Sequence, residues 1–390
     1  MVSIYLKPKK EESILRFHPW VFSGAIMRIE GKPSEGDVVR VMAADGRFLA
    51  IGHYQIGSIA VRILSFKEEE IDKNFWRQKI ENARLLRENL GLITAANNTY
   101  RLVHGEGDSL PGLIVDIYGD TAIVQAHSVG MHFIRKTLAE IIVNQIDTVK
   151  NVYYKSETTL PFKADTGAED GYLIGGNATD IAVENGLKFH IDWLKGQKTG
   201  FFIDQRENRS LLEHYSAGKS VLNMFCYTGG FSVYALRGGA EKVHSVDSSA
   251  KAIDLTDKNI ALNFQNTERH QAFAEDAFKF MNAAGEKYDI IVLDPPAFAK
   301  HRDAIHNALK GYKRLNIKGF ELLKKGGILF TFSCSQAITR EQFRLAVFSA
   351  AAESKRNVRI LYQLSQPADH PINIYHPEGE YLKGLVLWVE

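Results

Sequence analysis

An apolar segment ends in a pair of glycines at residues 223–232, which form the run Asn223-Met224-Phe225-Cys226-Tyr227-Thr228-Gly229-Gly230-Phe231-Ser232. The run completes a predicted buried strand, and its glycines allow the backbone to approach a ligand closely and to begin the next helix. In open α/β sheets, ligands bind at the carboxyl ends of such strands. The run is not GxGxxG and no P-loop lysine follows it, so phosphate binding is poorly supported.

Strands and helices alternate around this run, from about residue 206 onward. The sequence has four apolar strand candidates in this block, at residues 220–225, 243–246, 290–293 and 328–332. Helix-length stretches separate them, and this alternation predicts a mostly parallel α/β sheet that is covered on both faces. Residues 358–364 and 385–389 could add a terminal pair of strands.

The chain before this block shows two other patterns. Short β-like segments with turn signals between them predict a small barrel or sandwich over residues 1–70. Residues 72–192 combine helical periodicity with a hairpin that turns at Gly119-Asp120, which predicts a small α+β domain. With the alternating block at 193–390, we expect three domains.

Acidic residues follow the predicted strands of the alternating block. Asp247 ends the second strand, where a carboxylate can hold the two hydroxyls of a ribose. Asp276 ends the third strand, where it can reach the edge of an adenine. Taken alone, Asp247 could equally be the N-cap of the next helix. The ordered set of residues is what indicates a nucleoside site.

The ordered set resembles a known family. Residues 223–232, Asp247, Asp276 and Asp294-Pro295-Pro296 resemble successive motifs of the class I S-adenosylmethionine-dependent methyltransferases. The run QKTGFFIDQRENR at 197–209 closely resembles the bacterial 23S ribosomal RNA cytosine-5 methyltransferases that carry an N-terminal PUA domain. The segment His18-Pro19-Trp20-Val21-Phe22-Ser23-Gly24 resembles their PUA signature, so the similarity covers essentially the whole chain.

The resemblance implies a fold and a cofactor. The expected fold class is α/β: a C-terminal Rossmann-like methyltransferase sheet over 193–390, preceded by the central α+β domain and a PUA-like β-barrel. The expected cofactor is S-adenosyl-L-methionine. The residues that the resemblance assigns to its binding are Asp204, Arg206, Asn223, Phe225, Tyr227, Gly229, Phe231, Asp247, Asp276, Ala277, Asp294 and Pro295. Asn223 departs from the acidic residue of many methyltransferases, which bears on how the cofactor ammonium is held.

Two side chains are candidates for catalysis. Cys334 follows the predicted strand 328–332 and Asp294 follows 290–293, so both should lie at one edge of the sheet. Carbon 5 of cytosine is a poor nucleophile, and addition of a thiolate to C6 makes it electron-rich. Asp294 would stabilise the resulting charge at N3. The alternative for Cys334 is a buried structural cysteine, and we expect Cys226 to be one.

RNA binding must come from local patches, because the net charge of +2 and the pI near 8.3 are only mildly basic. The predicted RNA-binding residues are Lys300, Arg302, Lys310, Lys313, Arg314 and His370. Lys310, Lys313 and Arg314 lie on a predicted helix within 304–324, opposite an apolar stripe of Ala308, Tyr312, Leu315, Gly319 and Leu322. The alternative for this basic helix is a solvated face that covers the sheet. His370 could equally be a structural hydrogen-bonding residue. A cytosine inside a duplex is inaccessible, so the substrate should be single-stranded or flipped out.

Two other functions stay open. One is methylation of an exocyclic amine, guanine N2 or adenine N6, for which the Asp-Pro-Pro segment is also suited. The other is a non-catalytic RNA-binding assembly factor. The two cysteines suit a reducing cytoplasm, and no apolar run reaches the length of a membrane helix. We expect neither a secretory signal nor a metal site. The resemblance suggests ribosomal RNA as partner and a homodimer.

Overall fold

The computed structural model of the chain describes residues 1–161, 167, 169–265, 268–299 and 301–390, with Arg302 described for its backbone alone. These residues divide into two units. Unit 1 comprises Met1–Gly186, Ile191–Phe201 and Ala368–Gly379, and unit 2 comprises Leu187–His190, Phe202–Pro367 and Glu380–Glu390. Unit 1 takes in most of both predicted N-terminal domains, and the boundaries between the three predicted domains stay predictions.

The N-terminal part of unit 1 is a six-stranded sheet with the order β2-β6-β5-β4-β1-β3. Its elements are β1 (Ser3–Leu6), α1 (Glu12–Leu15), β2 (Trp20–Phe22), β3 (Ile26–Glu30), β4 (Val38–Met42), β5 (Phe48–Tyr54) and β6 (Ile59–Ser65). Val39 and Val41 are buried and alternate with less buried neighbours, which is the period-two pattern of a strand with one face on a core. The short strands predicted for this region are present.

The second part of unit 1 is a five-stranded sheet with the order β11-β10-β9-β8-β7 and helices beside it. Its elements are α2 (Lys73–Asn89), β7 (Thr99–His104), β8 (Leu113–Tyr118), β9 (Thr121–Ala126), α3 (Val129–Phe133), α4 (Arg135–Gln145), β10 (Asn151–Tyr154) and β11 (Gly171–Ile174), followed by β12 (Ile181–Glu184). Asp72 caps α2 by accepting the N–H of Phe75 at 2.8 Å. The predicted hairpin at Gly119-Asp120 is confirmed, since Tyr118 and Thr121 pair.

Unit 2 is a seven-stranded sheet with the order β16-β15-β14-β17-β18-β20-β19. Its elements are β13 (Leu187–His190), α5 (Arg206–Tyr215), β14 (Ser220–Met224), α6 (Gly230–Arg237), β15 (Lys242–Asp247), α7 (Ala250–Asn263), β16 (His270–Ala274), α8 (Ala277–Ala283), β17 (Tyr288–Leu293), α9 (Ile305–Leu322), β18 (Leu323–Ser333), α10 (Arg340–Glu353), β19 (Val358–Leu364) and β20 (Lys383–Val389). The first five strands in this order are parallel, and β20 pairs antiparallel with β18 and β19.

The strand order of unit 2 reverses between β14 and β17. From β14 the chain moves outward through β15 and β16, and then returns to place β17 on the other side of β14. Met224 pairs with Leu293 at this point, so the loops after both strands leave the sheet side by side. A reversal of this kind opens a crevice for a ligand at the carboxyl ends of the strands. Among the described helices, none has both the length and the hydropathy that crossing a membrane requires.

Candidate active site

The loop after β14 has an unusual backbone. Phe225 and Tyr227 have φ values of 59° and 49°, and Gly229 has a φ of 77°. A left-handed residue with a side chain costs on the order of 1–3 kcal/mol, and such residues concentrate at ligand sites. A Cβ on Gly229 would lie 2.6 Å from Cγ2 of Thr256. The loop therefore requires glycine at this position and turns back tightly over the end of the sheet.

Asp247 fixes this loop to the neighbouring strand. Its Oδ2 accepts the backbone N–H of Tyr227 at 3.0 Å, and its Oδ1 accepts that of Ser249 at 2.9 Å. The N-cap of α7 is Ser249, whose hydroxyl accepts the N–H of Ala252. Asp247 is therefore not the helix cap that it could have been from the sequence. Its carboxylate lies beside the loop after β14, and its role as a ribose ligand stays a prediction.

Asp276 is itself a helix cap. It precedes α8 and its side chain accepts the N–H of Lys279 at 2.9 Å. Asp276 is exposed, and the next residue, Ala277, is buried. The contact of Asp276 with an adenine edge, and the binding of the cofactor by Ala277, stay predictions.

Asn223 has a polar atom that suits a ligand. Its Nδ2 donates to the hydroxyl of Ser232 at 2.9 Å, and its buried Oδ1 has no hydrogen-bond partner among the described residues. Buried acceptors in folded proteins are normally satisfied by protein, water or ligand. An orphaned acceptor at the end of β14 fits an ammonium donor, so the amide can serve where many methyltransferases have a carboxylate.

The run before α5 is buried and polar. Asp204 accepts the phenol O–H of Tyr381 at 2.7 Å. Gln205 donates through Nε2 to Oδ2 of Asp294 at 2.9 Å, and its Oε1 accepts Nδ2 of Asn208 at 2.6 Å. The second contact fixes the amide so that its N–H faces Asp294. The sequence analysis assigned no role to Gln205. Its place in the run at 197–209, which carries the family resemblance, was the one sign of its importance.

The remaining predicted cofactor residues include Arg206, Phe231 and Pro295. Arg206 begins α5 and is buried, and Phe231 lies in the first turn of α6 and is buried. Pro295 follows Asp294 directly after β17. The backbone carbonyl of Pro295 contacts Cys334.

Cys334 and Asp294 lie at the same edge of the sheet, as expected. β17 and β18 are neighbours, with Leu293 paired to Thr331, so the residues that follow them leave the sheet together. The Sγ atom of Cys334 lies 4.0 Å from the carbonyl oxygen of Pro295. The chemical roles of the two side chains stay predictions, but the convergence on which those roles depend is present.

Hydrogen bonds fix the turn that follows Cys334. The hydroxyl of Ser335 lies 3.1 Å from the Tyr312 hydroxyl and 3.3 Å from the backbone nitrogen of Ala299. Nζ of Lys383 donates to the carbonyls of Ser335 and Ile338. Cys334 is partly exposed on top of this turn.

Cys226 has the opposite environment. It is 7% exposed, and burial raises the pKa of its thiol. The expectation that Cys226 is a packing residue is confirmed. Only Cys334 of the two cysteines has both access to solvent and a place beside Asp294.

The basic helix is partly neutralised by the protein. The predicted apolar stripe of α9 is confirmed, since Ala308, Tyr312, Leu315, Gly319 and Leu322 are buried. On the other side, Lys310 and Arg314 are exposed, whereas Lys313 forms an ion pair with Glu353 at 2.6 Å. Lys300 and the Arg302 side chain lie outside the described residues.

His370 lies in the interior of unit 1. It is 2% exposed, its Nδ1 is 3.0 Å from Oδ1 of Asp369, and its ring lies 5.0 Å from that of His104. This environment favours the structural alternative for His370 and gives no support for a direct contact with RNA. Among the described residues, no cluster of His, Cys, Asp and Glu is arranged to hold a metal ion.

Comparison with known proteins identifies the family. A model described as S-adenosylmethionine-dependent methyltransferase matches residues 161–375, and one described as PUA-like domain matches residues 4–66. A relative from Aeromonas hydrophila subsp. hydrophila, named ribosomal RNA large subunit methyltransferase I, is 41% identical over 394 residues, which cover 99% of this chain and 98% of the relative. The chain belongs to the S-adenosylmethionine-dependent methyltransferase family.

Solved structures agree on the fold of this methyltransferase. A structure from Streptococcus mutans, assigned as a SAM-dependent methyltransferase, matches with a TM-score of 0.85 at 23% identity over 100% of both chains. A methyltransferase structure complexed with SAH gives 0.86 at 24% identity, again over 100% of both chains. The predicted fold class, a PUA-like N-terminal domain and a Rossmann-like methyltransferase sheet, is confirmed. The predicted cofactor, S-adenosyl-L-methionine, is confirmed as well.

Proposed function

We propose that this methyltransferase methylates carbon 5 of a cytosine in large-subunit ribosomal RNA, through a covalent bond between Cys334 Sγ and C6. The observation that carries the proposal is the position of a partly exposed thiol 4.0 Å from the Pro295 carbonyl, next to Asp294. Amine methylation needs no nucleophilic side chain. The name of the Aeromonas relative and the PUA-like domain support ribosomal RNA as the substrate class.

The chemistry assigns one task to each side chain. The Cys334 thiolate adds to C6, an S–C bond forms, and the electron pair of the C5–C6 bond becomes available at C5. Asp294, as the carboxylic acid, donates its proton to N3 and so neutralises the negative charge that the addition places on the ring; it takes the proton back when the cysteine leaves. When bound in this site, S-adenosylmethionine would supply the methyl group: C5 would take it as the S–CH3 bond breaks, and S-adenosylhomocysteine would be left as the second product. A base then removes the C5 proton, the C5–C6 double bond re-forms, and Cys334 leaves as thiolate.

Gln205 sets the direction of the Asp294 carboxyl. Its N–H donates to Oδ2 at 2.9 Å, which commits that oxygen and orients the group. The two prolines after Asp294 have fixed φ angles and lack N–H donors. The backbone of residues 294–296, the Asp-Pro-Pro lip, is therefore stiff where it would lie against the base. An aligned nucleophile and hydrogen-bond partner reduce the entropic cost of reaching the transition state.

The cofactor is held by the loop after β14 and the ends of β15 and β17. Asp247 is placed for the ribose hydroxyls, and Asn223 Oδ1 for the methionine ammonium. Asp204 and Arg206 extend the same site. These assignments are all supported by the same observation, which is the position of the described residues at or near the carboxyl ends of the strands.

RNA binding is assigned to exposed cations and to the PUA-like domain. Lys310 and Arg314 are exposed on α9, which begins shortly after the Asp-Pro-Pro lip and so can bring phosphates to the site. The target cytosine must be unpaired or flipped out. The free thiols support a reducing compartment, the cytoplasm, as the place of action.

The test is methyl transfer from labelled cofactor to ribosomal RNA, followed by nucleoside analysis. The expected product is 5-methylcytidine, and a Cys334→Ala enzyme should give none. Label in N2-methylguanosine or N6-methyladenosine would contradict the proposal. That outcome would favour the amine alternative, which the partly matching run Asp294-Pro295-Pro296-Ala297-Phe298 keeps open. RNA binding without transfer of label would favour the assembly factor.

A further inference from the structure

A buried ammonium lies beneath the proposed nucleophile. Lys383 is the first residue of β20, pairs with Ser333 in the sheet, and is 3% exposed. Its Nζ donates to the carbonyl of Ser335 at 2.7 Å and to that of Ile338 at 2.9 Å. Both contacts lie in the turn that begins with Cys334. No part of the proposed function assigned a role to this lysine.

Neutral carbonyls satisfy the protons of an ammonium but do not balance its charge. Burial of an ammonium disfavours the charged form unless an opposite charge lies nearby. Among the described residues, the charged and titratable groups that act on Lys383 are Cys334 directly after β18, Arg340 of α10, and Glu380, and Tyr312 of α9 faces Cys334 as well. Glu380 is already engaged, since it accepts a hydrogen bond from Arg340 at 2.5 Å.

Cys334 is the leading charge partner of this lysine. Burial lowers the pKa of Lys383 to about 8; the charges of Cys334, first, and Glu380 act to raise it, and Arg340 acts to lower it. Interaction between two titrating groups is reciprocal. An ammonium that a thiolate stabilises must stabilise that thiolate in return.

We propose that Lys383 is a positioning residue for Cys334, which it holds as a thiolate while its two hydrogen bonds fix the turn over residues 334–338. The methylation part of this inference rests on the proposed function, whereas the thiolate itself can be measured without RNA. A thiolate is the form that can add to C6.

The pH dependence has a defined sign. Since the pKa of Lys383 is about 8, its ammonium is present at neutral pH, and the support that it gives to the thiolate is fully present there. As the pH rises through that value, the ammonium loses its proton and the support fades. Removal of Lys383 should therefore lower the fraction of Cys334 that is thiolate at neutral pH.

The experiment is alkylation of the full chain by iodoacetamide between about pH 6 and pH 10, followed by intact mass. The thiolate attacks the methylene carbon, a C–S bond forms and iodide leaves. A Cys334→Ser protein shows which signal belongs to Cys334, and the buried Cys226 serves as an internal reference. We expect the alkylation rate of wild-type Cys334 to reach half of its maximum below pH ~8.5, which is the ordinary pKa of a cysteine thiol.

Two substitutions separate charge from structure. Lys383→Met should move the midpoint upward and slow alkylation at pH 7 by about tenfold for each pH unit of the shift. Lys383→Arg keeps a cation and should restore most of the rate. Lys219→Met, at an exposed lysine of the same unit, should match wild type. Binding of S-adenosylhomocysteine (SAH), measured by calorimetry, shows whether the cofactor site of each variant is folded.

Two results would overturn the inference: a wild-type midpoint at or above the ordinary thiol value, or a folded Lys383→Met protein with the wild-type profile. If Lys383→Met does not fold, the wild-type profile alone decides. A low midpoint in an enzyme that makes no 5-methylcytidine would leave the thiolate standing and remove the proposed function. The two claims can therefore fail separately.

Discussion

At the scale of single residues, the site is a set of polar atoms with specific partners. Asp247 holds two backbone N–H groups around the cofactor loop, Gln205 orients Asp294, and Asn223 presents a buried acceptor. Two of these contacts, Asp247 with Tyr227 and Gln205 with Asp294, join residues that are 20 and 89 positions apart in sequence.

Replacement of Asp247 by alanine should weaken cofactor binding. The change removes the acceptor for the Tyr227 N–H and the proposed ribose ligand, and hydrogen bonds to charged groups contribute about 1.5–3 kcal/mol each. We expect the affinity for SAH, measured by calorimetry, to fall by about tenfold or more. Asp254→Ala, at an exposed residue of α7, is the matched control and should bind like wild type. Equal affinity in the two variants would remove Asp247 from the site.

Replacement of Gln205 by leucine should lower kcat more than it changes the KM for the cofactor. The substitution keeps the side-chain size roughly constant but removes the donor to Asp294 Oδ2. With the carboxyl no longer oriented, we expect kcat to fall by about tenfold, the value of one such hydrogen bond. Steady-state kinetics would measure it. A change confined to KM would indicate that Gln205 serves cofactor binding instead.

At the scale of elements, the sequence predicts what local patterns control. The alternation after residue 206 predicted the parallel sheet, and the apolar stripe of α9 predicted its buried face. Local pattern did not reveal that β20 inserts between β18 and β19, because strand order depends on contacts between distant segments. Lys383 escaped notice for the same reason. Its position beneath Cys334 arises from the pairing of Ser333 with a residue near the end of the chain.

The exposed cations of α9 should contribute to RNA affinity. A double Lys310→Ala, Arg314→Ala variant should bind single-stranded RNA more weakly and with a shallower salt dependence. Loss of two phosphate contacts lowers the slope of log affinity against log salt by about 1.4. Lys318 on the same helix is paired with Glu321, so Lys318→Ala should change little. Titration at several salt concentrations tests this, and an unchanged slope would favour the solvated-face alternative.

At the scale of the whole molecule, each unit has its own core and its own buried charges. In unit 1, Arg87 is fully buried and pairs with Asp108, and its Nη2 also donates to the carbonyl of Asp369 at 2.7 Å. Asp369 in turn accepts the N–H of Arg101 at 3.0 Å. Residues 368–379 thus belong to the packing of unit 1 despite their place near the end of the chain. The sequence suggested an RNA contact for His370 of this segment, because hydrogen bonds between remote segments leave no periodic signal that would reveal its burial.

Removal of Arg87 should destabilise unit 1 strongly. Arg87→Met leaves Asp108 as a buried charge without its main partner, which costs about 3–5 kcal/mol. Denaturant unfolding followed by tryptophan fluorescence should show a lower midpoint. Arg84→Met, on the same helix but in a more exposed pair, should cost below about 1 kcal/mol. Similar midpoints for the two variants would show that the buried pair contributes little.

The proposed mechanism requires a covalent bond between the sulphur of Cys334 and the base. This bond can be trapped with a ribosomal RNA fragment that contains 5-fluorocytosine, incubated with S-adenosylmethionine and the full chain. Fluorine cannot be removed as a proton can, so the adduct should persist on a denaturing gel with the wild-type protein and be absent with Cys334→Ser. Adduct formation by Cys334→Ser, or its absence with a wild-type enzyme that methylates normal RNA, would contradict the account.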